Sequence, residues 1–437
     1  MSRREELLQY VWKFGLFDRS LIETTEGEKI EIIDAGLLNT DAGPDFFNAK
    51  IKIGNTLWAG NIEIHHASDE WKKHGHHTDK AYNSVILHVV EEVNSDVRNQ
   101  KGEVIPQCVI KVPEEVRENA EYLLYADEKI PCKDSLSLLD KRLLHAWLSA
   151  LTIERLERKT QDIFAHLKRF NNSWDETFYV LLVRNFGFGL NSDQFERLAL
   201  SLPYNYIQKH GDSLFQIEAL LFGQAGLLEE GPVEEDYFLK LKNEYAFLKK
   251  KYLLNNLDGF VFKKLHVRPR AFPQIRLAQL AALLQKSGRL FSVVLEQQDY
   301  PQMQSHFQVN PSDYWQTHYS FGKSSVKSAK YLGAASFHII LINTVVPILF
   351  AYGKKTADEA YCGRAVDMLE SVKPEKNSII DQFREAGVIP EHAADTQALI
   401  QLRKAYCEPR KCLYCRIGHA ALSSRKVSSP SNGFPPV

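Results

Sequence analysis

Two alternating stretches joined by Gly54-Asn55 constrain the fold of this chain more than any other feature. In Leu57 to His65 the side chains Asn61, Glu63 and His65 fall on one face of an extended strand, and Trp58, Ile62 and Ile64 on the other. Upstream, Phe47, Ala49, Ile51 and Ile53 alternate in the same way, so the pair reads as a hairpin with its turn at Gly54-Asn55. Such a hairpin carries Asp45, which follows Pro44, back toward Glu63. Two carboxylates converging beside a third polar group make an oxygen-rich site for magnesium or manganese, ions that activate water and stabilise charge on a phosphate.

The segment after His65 is rich in further ligands. Six of the chain's fifteen histidines lie between His65 and His88. His74, His76 and Asp79 are candidates for contact with a substrate phosphate or a second cation. His65, His74 and His76 also allow a zinc site, although neither a His-x3-His pair nor a Cys-x2-Cys clasp is present there. The plainer alternative is a polar loop ordered by hydrogen bonds, with Ser68 capping a short helix that ends near Gly75. Asn83 to Val90 reads as a buried strand and His88 as a core histidine. Ahead of the hairpin, residues 3 to 15 carry Leu7, Leu8, Val11, Trp12 and Phe14 at helical spacing, with Glu5 and Glu6 expected on the solvated face. Lys29 to Ile33 reads as a strand, Val104 to Val112 as another, and Pro113 to Tyr125 as a helix.

Pro44-Asp45, seventeen intervening residues and Glu63-Ile64-His65 together resemble the signature of the PD-(D/E)XK nuclease superfamily, with histidine at the lysine position. The resemblance implies a restriction-endonuclease-like mixed sheet with flanking helices. It also implies metal ligation by Asp45 and Glu63, and a base or water-orienting role for His65. A neutral imidazole is a poorer phosphate clamp than an ammonium, which is a departure from the pattern. Over nearly its whole length the chain also resembles a bacterial domain-of-unknown-function family of about this size, through GPDFFNA, GNIEIH, AYNSVILHVV, FPQIRLAQ and CEPRKCLYCRIG.

A chain of 437 residues accommodates two or three domains. The α/β domain is expected over residues 1–130. A mostly α-helical domain follows over 135–422, opening with the stripe Leu139, Leu143, Leu144, Trp147, Leu148 and Leu151. Residues 423–437 lack apolar periodicity and read as a disordered tail. The net charge of −1 gives no global attraction for a polyanion, so nucleic-acid binding must rest on a local basic face. Lys249 to Arg276 interleaves basic and aromatic residues, and Arg268, Arg270 and Arg276 are the expected contacts. A solvated helix face with a proline-fixed loop is the alternative, in which Arg276 faces the core. No secretory leader is read at the N-terminus, and the apolar run Ala334 to Tyr352 reads as a buried helix rather than a membrane span.

Six cysteines without regular spacing point to reduced thiols in a cytoplasmic setting. Cys407-x4-Cys412-x2-Cys415 sets three of them on one knuckle, suited to a structural metal, with His419, Cys132 or Cys362 as the fourth ligand. With Cys132 the set resembles the one early and three late cysteines that hold an iron–sulfur cluster in some recombination and CRISPR-adaptation nucleases; zinc is the other option. The expected function is metal-dependent phosphodiester hydrolysis of DNA or RNA. The alternative is a non-catalytic nucleic-acid-binding or scaffold protein on a degenerate nuclease fold.

Overall fold

A computed structural model describes residues 2–136, 139–232, 234–265 and 267–423. The tail beyond Ser423 lies outside the described residues. The chain forms two compact units. One comprises residues up to Trp147, Asp381–Ile389 and the described residues from Leu402 onward; the other comprises Leu148–Ile380 and Pro390–Gln401. The division falls after Trp147 rather than near residue 130, and two later segments return to the first unit. Periodicity along the chain cannot reveal such a return, because it carries no information on which unit a late segment packs against.

The first unit opens with α1 (Arg3–Phe14). The Ser2 hydroxyl accepts from the Glu5 N–H, the Glu5 carboxylate accepts from the Ser2 N–H, and Gly15 closes the helix at φ 61°. The mixed sheet contains β1 (Ile30–Asp34), β2 (Leu37–Leu38), β3 (Phe46–Ile53), β4 (Thr56–Ala67), β5 (Val85–Glu92) and β6 (Gln107–Val109). Its order is β1-β3-β4-β5-β6, with β2 also paired to β3. The β1, β3 and β4 pairings are antiparallel; β4 with β5, and β5 with β6, are parallel. The crossover from β4 to β5 holds only the four-residue α2 (Glu70–Lys73) and two 3-10 turns. After β6 the chain enters α3 (Glu114–Tyr125). Leu8, Val11 and Trp12 of α1 and Ala120 and Leu123 of α3 share one core with Ile51, Ile62, Ile64, Leu87 and Val89. At about 1.5–3 kcal/mol for each large apolar side chain, this burial fixes which face of β4 turns toward the helices.

The second unit is helical. Its centre is the helix Pro273–Lys286, where Ile275, Leu277, Ala278, Leu280, Ala281 and Leu283 are all buried. Ala334–Thr356 is long and apolar enough to cross a membrane by length and composition, yet 67% of its most apolar window is buried in the structure. It is a core helix, with a π-turn at Leu341–Val345 just before Pro347. Arg276 also belongs to the core: its guanidinium lies 3.9 Å from the Phe188 ring centroid and donates to Gln279 and Ser336.

Glu218 is fully buried in this unit and accepts from Tyr237 and Ser312 hydroxyls. Burial raises its carboxyl to about 7, against opposing hydrogen bonds from those two hydroxyls. A raised carboxyl contributes stability that is complete below pH ~4.5 and is lost as pH climbs through its folded value. Glu218→Gln, which keeps a carbonyl acceptor, is therefore expected to gain on the parent by about 2–3 kcal/mol between pH 5 and pH 8, read from urea midpoints. A gap that does not change with pH would mean that this carboxyl titrates normally.

Candidate metal centre

A bulge in β3 builds the site. Phe46 pairs with Ile62 and Ala49 with Gly60, so Phe47 and Asn48 together stand opposite Asn61. Asn48 takes the left-handed φ of 57° that asparagine tolerates, and its N–H donates to the Asn61 side chain. The extra residue shifts the pairing by one position, which sets Asp45 opposite Glu63 rather than Ile64. It also turns Phe46 into the core and leaves Phe47 half-buried, so strict alternation through Phe47 fails at this point. The Asp45 N–H donates to Glu63 Oε2 at 3.1 Å, and the Ile64 N–H donates to Asp45 Oδ2 at 2.9 Å. The two acids converge.

The histidines join them from three elements. His65 Nε2 lies 3.5 Å from Glu63 Oε1, and His76 Nε2 lies 3.1 Å from the same oxygen. His74 Nδ1 is 3.1 Å from His65 Nε2, and each of His65, His74 and His76 offers a nitrogen within 4.8 Å of the other two. Parallel pairing sets His88 beside Glu63, where its Nε2 meets His65 Nδ1 at 2.8 Å. Tyr82 stacks on His76 at 3.8 Å. Glu63, His65, His76 and His88 are buried, Asp45 is half-buried and His74 is exposed.

Burial dominates the electrostatics. It raises the Asp45 carboxyl to about 7, helped by the charge of Glu63 and opposed by hydrogen bonds from Ile64 and Gln9. It raises Glu63 to about 8, opposed by the Asp45 N–H. Burial, reinforced by His88, His76 and His74, drives His65 far below its usual value, and burial lowers His88 to about 3. His65 is thus a neutral imidazole throughout the physiological range. In that form it carries a lone pair and does not replace the positive charge of a lysine.

Asp79 does not join the group: it is exposed, and its carboxylate accepts from the Ala81 N–H to cap a 3-10 turn. Glu5, expected on a solvated face, is buried, and its charge acts on Asp45. Gln9, one turn further along α1, is buried and hydrogen-bonded to Asp45, a contact missed from sequence. Its signal was an amide inside an otherwise apolar helix face. Arg268 and Arg270 are exposed. The aromatic residues interleaved with that basic segment are already engaged. Phe262 is in the core, and Tyr252 stacks on Tyr206 while its hydroxyl meets His210. Cys132, Cys407, Cys412 and Cys415 line one cavity, whereas His419 pairs with Tyr10 and Cys362 donates to the Phe350 carbonyl.

A mixed sheet that brings one buried and one half-buried carboxyl together with three imidazoles defines a candidate metalloprotein. The family described as protein of unknown function (DUF2851) matches residues 5–378, and the chain belongs to that family. The match ends before Cys407. No curated protein and no solved structure matches the chain.

Proposed function

We propose that this protein hydrolyses phosphodiester bonds in DNA or RNA, using a divalent cation held by Asp45, Glu63 and the His65, His74 and His76 group. One observation carries the reading: two carboxyls from adjoining strands meet beside three imidazoles in a largely buried cluster. Two acids that hold protons near neutrality lack a compensating charge, and a cation is the partner that keeps both ionised. Such an ion supplies a Lewis acid and lowers the pKa of water.

The protein's own residues divide the remaining tasks. His65 Nδ1 and His88 Nε2 share a hydrogen bond at 2.8 Å, and the tautomer in which His65 Nδ1–H is the donor is the one that leaves its Nε2 as an acceptor toward the site. Glu63 links His65 and His76 through one oxygen. His74, the exposed member, stands where substrate arrives. Imidazoles suit borderline ions while carboxylates suit harder ones, so this mixed set favours manganese over magnesium, with zinc as its competitor. A restriction-endonuclease-like core is part of the proposal. It is supported by the succession of a helix, an antiparallel hairpin bearing both acids, and a parallel strand. The exposed Arg268 and Arg270 support a nucleic-acid partner, and six free cysteines support a cytoplasmic setting.

The near-complete burial of Glu63 and His65 favours a second reading, in which the site is structural and the protein only binds nucleic acid. Incubation of single- and double-stranded DNA and RNA with manganese, magnesium, zinc or chelator separates the two. Strand cleavage with manganese that chelator abolishes is expected. Intact strands under every ion would leave the binding-only reading in its place.

A further inference from the structure

We infer that residues 264–270 and 323–331 of the second unit form one nucleic-acid-binding face. From Gly259 to Leu295, and again from Tyr314 to Ala357, the sequence contains no aspartate or glutamate. The first run carries Lys264, Arg268 and Arg270, and the second carries Lys323, Lys327 and Lys330. A solvated face ordinarily mixes both signs of charge, so two acid-free runs that fold against each other build a positive field.

The two runs do meet. A two-stranded ribbon, β7 (His318–Ser320) and β8 (Lys323–Ser324), leads into a loop that folds back on it: the Ser325 N–H donates to the Thr317 carbonyl and the Ser328 N–H to the Gln316 carbonyl. The Gln279 amide, on the helix Pro273–Lys286 that follows Arg270, donates to the Lys330 and Tyr331 carbonyls. Like charges then act on one another. Burial and the charge of Lys323 lower the Lys264 ammonium, and burial and the charge of Arg270 lower that of Lys330, against the Tyr319 phenol. Lys330 is buried, and its ammonium donates to the Gln316 carbonyl and lies 4.2 Å from the Tyr319 ring centroid. A buried ammonium is ordinarily paired with an acid; here a carbonyl and an aromatic face hold it, so its charge is not cancelled locally. Glu235 reaches the ribbon turn, where the Gly322 N–H and the Tyr314 hydroxyl occupy its carboxylate. Lys264, Arg268, Arg270, Lys323 and Lys327 are exposed, spread over ribbon and loop. A single anion is held by a pocket, whereas separate charges along a surface match the repeated phosphates of a strand. Tyr331, 51% exposed, offers a ring on which an unpaired base can stack.

This inference rests on the partner class of the proposed function but not on its metal, and the test separates the two. Binding of a labelled single strand of DNA or RNA, about twenty nucleotides long, is read by fluorescence anisotropy on the full chain carrying Glu63→Gln, in chelator, so that no cutting intervenes. Affinity should fall by roughly a hundredfold or more between about 50 and 200 mM salt, as about five phosphate contacts require. Lys323→Gln combined with Lys327→Gln should weaken binding about tenfold and lower the salt slope by about one for each lysine. Both side chains are exposed, so these variants keep the fold. Lys354→Gln combined with Lys355→Gln, about 30 Å along the helix Ala334–Thr356 from its start, should leave affinity and slope unchanged. No binding at about 50 mM salt, or an equal loss in the two double variants, would overturn the inference. Binding as expected by a parent that cuts no strand would keep this face and remove the metal-dependent mechanism; cutting by a parent whose binding ignores Lys323 and Lys327 would do the reverse.

Discussion

On the proposed mechanism, Glu63→Ala is expected to lower manganese-dependent cleavage by about a hundredfold or more while the protein still folds. Glu63 is the hub of the site: the Asp45 N–H, His65 and His76 all meet its carboxylate. Losing it removes an anionic ligand and the link between the two acids and the imidazoles. Folding is affected differently. The truncation leaves the Asp45 N–H without its acceptor, a cost of about 1–3 kcal/mol. It also removes a buried carboxyl whose raised value penalises the folded state as pH increases. That group's stabilising contribution is complete below pH ~4.5 and is lost as pH rises through about 8. The metal-free variant is therefore weaker than the parent at pH 5 and recovers most of the gap by pH 8. Glu63→Gln, which keeps the acceptor, should fold like the parent at pH 5 and still fail to cleave. Cleavage at the parental rate in either variant would remove Glu63 from the mechanism.

How far this site was legible from sequence depends on the range of each interaction. Asp45, Glu63 and His65 could be placed together because a hairpin is local and its alternation fixes faces. The bulge at Asn48 could not be read, since one extra residue leaves the period on either side intact and only changes their relation. His74 and His76 were visible as a cluster of residue type, but their approach to Glu63 depends on how a loop with little regular structure folds back. His88 read as a core histidine. It is buried, and its contact with His65 comes from parallel pairing across a crossover, which no local pattern encodes. Glu5 read as solvated because an acid on an amphipathic helix ordinarily lies on the face turned to water; its burial beside Asp45 depends on where α1 packs. The late cysteines stood out by spacing, while their return to the first unit was beyond what periodicity carries. The succession of an α/β region and a helical region was legible, since both periods are strong, whereas the mixed pairing of the sheet came only with the resemblance.

The electrostatics of the two acids lead to a second large effect. Without a cation, Asp45 and Glu63 stabilise the fold only while protonated, so their contribution declines as pH rises from ~4 through about 7 and about 8. His65 and His88, held neutral by burial, act in the opposite direction: their contribution is complete above pH ~6.5 and is lost as pH falls toward their depressed values. The metal-free protein is thus caught between two losses, and its best pH lies between them. A divalent ion relieves the first by replacing the protons on both acids. Below pH 7 its affinity should rise about ten- to a hundredfold per pH unit, for one or two protons displaced, and level off above pH 8. Each tenfold gain in affinity at fixed excess of ion adds about 1.4 kcal/mol of stability. Saturating manganese should therefore raise the melting temperature by several degrees more at pH 8 than at pH 6, and Glu63→Gln should flatten that pH slope toward one proton. A manganese shift of equal size at both pH values would mean that the ion does not sit on these carboxyls. No shift at either would leave the burial of two adjacent acids without a cation to offset it, and the histidines beside them would then be structural partners.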